Sequence, residues 1–366
     1  MGADTLPPAV VGRLADQVRA AATARRALRI EGGGTKAFYG NPTAGERLDP
    51  RECTGIVAYE PAELVVTARA GTPLAELEAL LAAGGQMLAF EPPHFGAGAT
   101  VGGCVAAGLA GPARAAAGVA SGGVRDSLLG VKMLDGRGDV LAFGGTVMKN
   151  VAGYDASRLM AGSLGTLGVL LEVSLRVVPR AVAEVTLRLA LDERAALAAF
   201  AAWSARPWPI SATAWAGEHL HVRLAGAGSA VAAARSGLGG ELLAPGAAAA
   251  FWHDVREQAA PFFAGVAPLW RFSLPKHADP LELEGPQLLE WGGALRWLRT
   301  SAEAATIRRR AAELGGHATL FRGERRGVAA FTARPPAVAA LEARLRAQFD
   351  PAGIFNPGRM HADGAH

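Results

Sequence analysis

The chain has 366 residues, half of them apolar and 19% charged, with 37 basic against 33 acidic side chains. Such apolar content excludes global disorder, and the length suits two or three domains whose cores need neither disulfide nor metal. The arginines are dispersed, with no basic stripe interleaved with aromatics, so a nucleic-acid role is disfavoured.

Residues 8–27 carry apolar side chains at helical spacing, and Leu28-Arg29-Ile30 is a short strand that stops at Gly32-Gly33-Gly34-Thr35. Residues 54–59 and 64–70 are strands, and Thr72 is the expected cap of a helix from Pro73 to Ala83. Residues 91–125 are dense in glycine and alanine. Residues 128–134 and 140–143 form a hairpin around Asp135-Gly136-Arg137-Gly138, 156–161 is a short helical turn, and 169–179 is a strong strand.

From about 181 the texture changes. Strands at 184–191, 210–216 and 219–225 and helices at 192–205 and 229–238 give a β-α-β-β-α-β, ferredoxin-like unit. Strands near 268–274, 293–299, 317–322 and 328–332 and helices at 301–314 and 336–348 complete the pattern. The last residues, with Asp350-Pro351-Ala352-Gly353 and Asn356-Pro357-Gly358, read as an ordered tail.

The 47 glycines show no three-residue period, which excludes collagen and marks sharp turns or close backbone approach. Cys53 and Cys104 form no CxxC pair, which argues against zinc, iron–sulfur and disulfide frameworks and suits a reducing cytoplasm. The first residues lack a secretory apolar core. The uncharged stretch 92–113 could span a bilayer by length, but its glycines and prolines would break a helix.

Four segments carry chemistry. Gly32-Gly33-Gly34-Thr35-Lys36 after a strand can converge main-chain N–H groups on an anion such as a diphosphate, although by itself it reads more readily as an ordinary turn. It is neither a Walker motif nor the G-x-G-x-x-G fingerprint, so a Rossmann domain is disfavoured. Thr100-Val101-Gly102-Gly103 and the small residues after it suit a flat ring against the backbone, or tight helix packing. Gly122-Gly123-Val124-Arg125-Asp126 and Gly162-Ser163-Leu164-Gly165-Thr166-Leu167-Gly168 are weak singly.

In this order, and with Asn356-Pro357-Gly358, these segments resemble the FAD-binding domain of the vanillyl-alcohol oxidase/p-cresol methylhydroxylase superfamily. Val147 to Asp155, Trp291 to Leu298, Leu269-Trp270-Arg271 and Gly316-His317-Ala318-Thr319 narrow the resemblance to FAD-binding subunits of bacterial glycolate oxidases, over essentially the whole chain. The resemblance implies an α+β chain. A two-part p-cresol methylhydroxylase-type FAD-binding domain would occupy 1–180, and an α+β cap with a ferredoxin-like antiparallel sheet 181–345. A tail, 346–366, would return to the first domain.

It implies FAD, held without a covalent bond because the loop carries no histidine. Gly32, Gly33, Gly34, Thr35 and Lys36 would bind the diphosphate, with Thr100, Gly102 and Gly103 beside it and the ring. Arg125 and Asp126 would close the flavin site. Gly162, Gly168 and Val169 would meet the adenosine end, and Asn356 the flavin pyrimidine. Pro92 and Gly153 complete the implied contacts. An alanine-glycine run at 108–111 replaces the usual asparagine-containing one.

The implied activity is oxidation of glycolate to glyoxylate, with flavin N5 as hydride acceptor. The implied partners are a second FAD subunit and an iron–sulfur subunit, and that complex could sit on the inner face of the plasma membrane. A self-sufficient 2-hydroxy-acid dehydrogenase and a non-catalytic subunit with a vestigial flavin site are the alternatives. Oxidising a 2-hydroxy acid needs a cation for the carboxylate and a base for the hydroxyl proton. Arg271 and His317 are the candidates, with Arg322 and Arg296 behind them. Arg271 reads equally as half of a structural ion pair, and His317 reads more readily as a structural histidine. His219 and His221 flank one strand residue, too little for a metal site, and no metal is expected.

Overall fold

A computed structural model describes residues 6–116, 122–146, 155–324 and 327–361. Helix α1 (Pro8–Ala24) starts on a proline, which suits the first helical turn, and ends on Arg25 in the left-handed region. Its buried face, Leu14, Ala15, Val18 and Ala21, packs on strands β1 (Leu28–Ile30) and β2 (Glu46–Leu48), which pair in parallel.

The second part of the N-terminal half is an antiparallel sheet. Strands β3 (Ile56–Glu60) and β4 (Val65–Arg69) are followed by helix α2 (Leu74–Ala83), the short strand β5 (Gln86–Met87), helix α3 (Val101–Ala107) and the turn α4 (Val124–Ser127). The hairpin β6 (Leu128–Leu134) and β7 (Val140–Gly144) and the strand β8 (Val169–Arg176) complete it in the order β3-β4-β8-β6-β7, while β9 (Val178–Pro179) pairs with β5. Strand β8 is buried along nearly all its length because it is central and covered on both faces. The expected Thr72 cap is not formed. Pro73 takes the cap position of α2, and the Thr72 hydroxyl instead bonds the main chain of Gly55 in both directions.

The C-terminal half is built on one eight-stranded sheet. Strand β10 (Ala183–Ala190), helix α5 (Glu193–Ser204), strands β11 (Ile210–Ala216) and β12 (His219–Gly226), helix α6 (Gly228–Leu238) and strand β13 (Glu241–Leu242) form the ferredoxin-like unit, with strand order β13-β10-β12-β11. Asp192 caps α5 as expected, accepting from the Ala195 N–H. Helix α7 (Pro245–Glu257) and strand β15 (Gln287–Glu290) were not apparent in the pattern. Strands β14 (Leu269–Ser273), β16 (Leu295–Arg299) and β17 (His317–Arg322) and helix α8 (Ala304–Glu313) extend the unit, with sheet order β11-β15-β16-β14-β17.

Residues 328–332 are not a strand. The Leu320 N–H reaches Ala330 and the Thr332 hydroxyl reaches Ala318, without a ladder. The expected boundary at 345/346 falls inside helix α9 (Pro336–Phe349). Phe349 joins the core of the five-stranded sheet, edge-on to Phe143, and Ile354 and Phe355 join the core under α1. The chain therefore returns to its first half, where Leu28 bridges Phe355.

Candidate functional site

An open cleft with an enclosed volume of about 120 Å³ lies between the β1–β2 pair and the five-stranded sheet. One wall is the loop after β1. Glu31 N–H still closes on Leu48 O at 3.1 Å. Among the described residues, the next five main-chain N–H groups, Gly32 to Lys36, find no acceptor in the protein. Half-buried amides are almost always paired, so this run, in which Gly34 alone is exposed, marks a surface shaped for an outside acceptor. Glycine is required here. A β-carbon on Gly33 would lie 1.5 Å from the Gly98 carbonyl oxygen, and Gly34 has a φ of +69°.

The opposite wall is α3. Its cap is Thr100, whose hydroxyl accepts from the Gly103 N–H at 3.1 Å. Gly102 lets the helix lie on Ala70, where a β-carbon would come within 2.6 Å. Ala106, Ala107, Gly165 and Gly168 continue the wall with small residues. Lys36, Arg29 and Arg359 supply positive charge. The Lys36 amine donates to the His94 carbonyl at 3.1 Å, and burial lowers its pKa against the pull of Cys104 and Glu257. Burial also pushes the Cys104 thiol up to about 12, so it stays neutral beneath the loop. An unpaired amide cradle, a positive rim and a wall of small residues suit the diphosphate and flat ring of a flavin dinucleotide.

The residues expected to bind the cofactor divide. Gly32, Gly33, Gly34, Thr35, Lys36, Thr100, Gly102, Gly103 and Gly168 all line the cleft. Val169 follows Gly168 but points into the core under α1. Gly162 lies behind the wall, its N–H on Val105 O at 3.0 Å. Pro92 is buried off the cleft, and Arg125 and Asp126 sit on α4 away from it. Gly153 and most of the 147–155 motif lie outside the described residues.

Asn356 is not free to reach a ligand. Its carbonyl oxygen accepts from Ile30 N–H at 2.8 Å and its amide donates to Leu164 O at 2.7 Å, so it pins β1 to the 164 turn.

A second, smaller chamber lies where the two halves meet, near the C-terminal end of α3. Pro93, Phe95, Leu109, Gly111, Leu295 and Phe321 line it, together with Arg271, Glu290 and Trp297. The Arg271 guanidinium lies over Trp291 and Trp297, 5.4 and 5.9 Å from the ring centroids. Among the described residues it has no hydrogen-bond or ion-pair partner. Burial lowers its pKa. The reading of Arg271 as half of a structural ion pair is therefore not met, and an unpaired guanidinium in an apolar wall suits a carboxylate ligand.

Glu290 escaped the sequence reading. It is 4% exposed, accepts a hydrogen bond from Trp297 Nε1 at 2.7 Å, and is pushed up to about 7 by burial, against Trp297 and Arg271. The available signal was a lone acid closing the apolar pair Leu288-Leu289 just before Trp291-Gly292-Gly293.

His317 does not join this chamber. It shares a sheet face with Arg271, but it is paired with Ser273 at the exposed end of β17. Arg296 is spent on the main-chain carbonyls of Gly293, Ala278 and Asp279. Arg322 lies 4.3 Å over Phe38 and 4.9 Å over Phe95, beside Thr35 at the cleft mouth. His221 stacks on Phe251 at 3.9 Å. Two non-glycine residues with positive φ line these sites, Leu164 in the cleft and Phe95 in the chamber. Such strain concentrates at functional sites.

A family model described as FAD binding domain matches residues 6–156. The chain is 48% identical, over 96% of its length and 97% of the relative's, to glycolate oxidase subunit GlcE of Escherichia coli (strain K12). It is 42% identical to glycolate oxidase subunit GlcD of Bacillus subtilis (strain 168), over 21% of this chain and 16% of that one. A solved structure of alkyldihydroxyacetonephosphate synthase shares the fold, with a TM-score of 0.66 at 12% identity, over 94% of this chain and 75% of that one.

Proposed function

Because the chain belongs to the family of the glycolate oxidase subunit GlcE, we propose that it is an FAD-binding subunit of a glycolate oxidase complex, an FAD-dependent oxidoreductase that takes glycolate to glyoxylate. The observation that carries this reading is the run of five unpaired amides from Gly32 to Lys36, facing a wall of small residues. The main-chain N–H groups would hold the diphosphate, and Lys36 would add charge at the loop. Bound FAD would supply a hydride acceptor. The chain's own part is to hold the substrate carboxylate on Arg271 and to exclude water with Trp291, Trp297 and Phe321.

Electrons have to leave through another protein. Cys53 and Cys104 are both buried and too few for a cluster, so an iron–sulfur subunit and a second flavin subunit are the fitting partners. Among the described residues no helix is long and apolar enough to cross a membrane, so any association with the inner face of the plasma membrane would run through those partners.

The unpaired Arg271 also favours a second reading, a self-sufficient FAD-dependent 2-hydroxy-acid dehydrogenase. Anaerobic glycolate added to the purified, flavin-loaded chain separates the two. A flavin that stays oxidised until partner subunits are added supports the complex, and rapid bleaching of the lone chain supports self-sufficiency. A chain that purifies and reconstitutes without any flavin contradicts both.

A further inference from the structure

We propose that Glu290 is the specificity-determining residue that recognises the α-hydroxyl of the small carboxylate held by Arg271. This rests on the reading of Arg271 as the carboxylate clamp. The chamber is small, an enclosed volume of about 20 Å³ that opens at its mouth, and its walls are largely apolar. Two of its polar groups are set against each other without touching, since no ion pair joins Arg271 to Glu290. Trp297 Nε1 occupies one carboxyl oxygen, Oε1, at 2.7 Å. The described hydrogen bonds leave Oε2 open toward the chamber. A buried guanidinium with no anion and a carboxyl with one unused oxygen, separated by a gap, are left needing one ligand each. A two-carbon acid with a hydroxyl beside its carboxylate carries one partner for each.

The charged and titratable groups around Glu290 set how pH acts. Arg271 on β14 faces it, and Glu91 faces it from the N-terminal half while paired to Arg223 on β12. Tyr39 and Arg114 also act on Arg271, Arg114 from over the Trp291 ring at 4.7 Å, and Arg256 at the wall is engaged by Glu257. As Glu290 ionises it competes with the ligand for Arg271, so binding weakens as pH rises. Held neutral by burial at lower pH, it donates to the ligand hydroxyl.

The test is titration of the full, purified chain with glycolate and with acetate, read by tryptophan fluorescence, since Trp291 and Trp297 flank Arg271. Glycolate should bind about tenfold tighter than acetate, the worth of one hydrogen bond to a carboxyl group. Affinity should fall several-fold between about pH 6 and about pH 8. Glu290→Leu should erase the preference and the pH dependence while still binding acetate. Glu290→Gln should keep the preference and lose the pH dependence, and Arg271→Met should bind neither acid.

Equal binding of both acids to the unaltered chain, a glycolate preference that survives in Glu290→Leu, or no saturable signal would each overturn the proposal. Flavin absorbance of the same samples keeps the two readings apart. Carboxylate binding without flavin strikes only the cleft assignment, and flavin without carboxylate binding strikes only the chamber.

Discussion

Gly33 and Gly98 cross so closely that a β-carbon on Gly33 would sit 1.5 Å from the Gly98 carbonyl oxygen. The glycine there answers first to the protein's own backbone, and the open amides of the loop follow from that crossing. Gly33→Ala should therefore reshape the loop and remove most bound flavin. Gly34→Ala meets only the left-handed φ of +69°, a cost of about 1–2 kcal/mol, and should keep most of it. Flavin absorbance per chain, measured beside the thermal midpoint, checks the contrast.

Asn356 acts at one remove from the cleft, through Ile30 and Leu164. Asn356→Ala leaves Ile30 N–H and Leu164 O without partners in a buried site, which costs about 2–4 kcal/mol. Asn356→Asp retains an acceptor for Ile30 and should lose less. Urea unfolding of the two variants gives the comparison. Equal midpoints for Asn356→Ala and the unaltered chain would contradict the pinning role.

Glu290 makes stability fall with pH. Its folded pKa, about 7, lies above the ordinary carboxyl value of 4.5. The folded chain holds the extra proton, so this stabilisation is complete below about pH 4 and is lost as pH rises through about 7. The full span is on the order of 3 kcal/mol. Glu290→Gln removes the ionisation, so its thermal midpoint relative to the unaltered chain should be higher at alkaline than at acid pH. A pH-independent difference would contradict the buried-carboxyl assignment.

Arg296 is a structural arginine. Replacing it by Met leaves the Gly293, Ala278 and Asp279 carbonyls unpaired around a fully buried side chain, a loss of about 3 kcal/mol or more. The expected outcome in Arg296→Met is lowered stability with flavin content retained, measured by unfolding and by absorbance.

Most of the frame was legible because its signals are local. The hairpin at 128–144, the Asp192 cap and the 4-1-3-2 strand order of the ferredoxin-like unit follow from turn residues, caps and alternation. Helix α7 was hidden in a run of alanines that carries little periodic contrast, and β15 in four residues that resemble any short apolar run. Residues 328–332 have strand-like composition, but only isolated bonds tie them to β17. The loop wall of the cleft was legible because its glycines, Gly32-Gly33-Gly34, stand together in the sequence. The chamber was not, because Arg271 and Glu290 lie on separate strands, β14 and β15, and β16 sits between them in the sheet. His317 was a reasonable candidate by residue type alone, yet it falls at the open end of its strand.

In the proposed site the amides of Gly32 to Lys36 hold the phosphates of FAD. Titration of the flavin-free chain with FAD and with riboflavin, which has the ring but no phosphates, tests it most directly. With several charge-assisted hydrogen bonds at stake, FAD should bind at least about a hundredfold tighter than riboflavin. Riboflavin binding as tightly as FAD would contradict the claim.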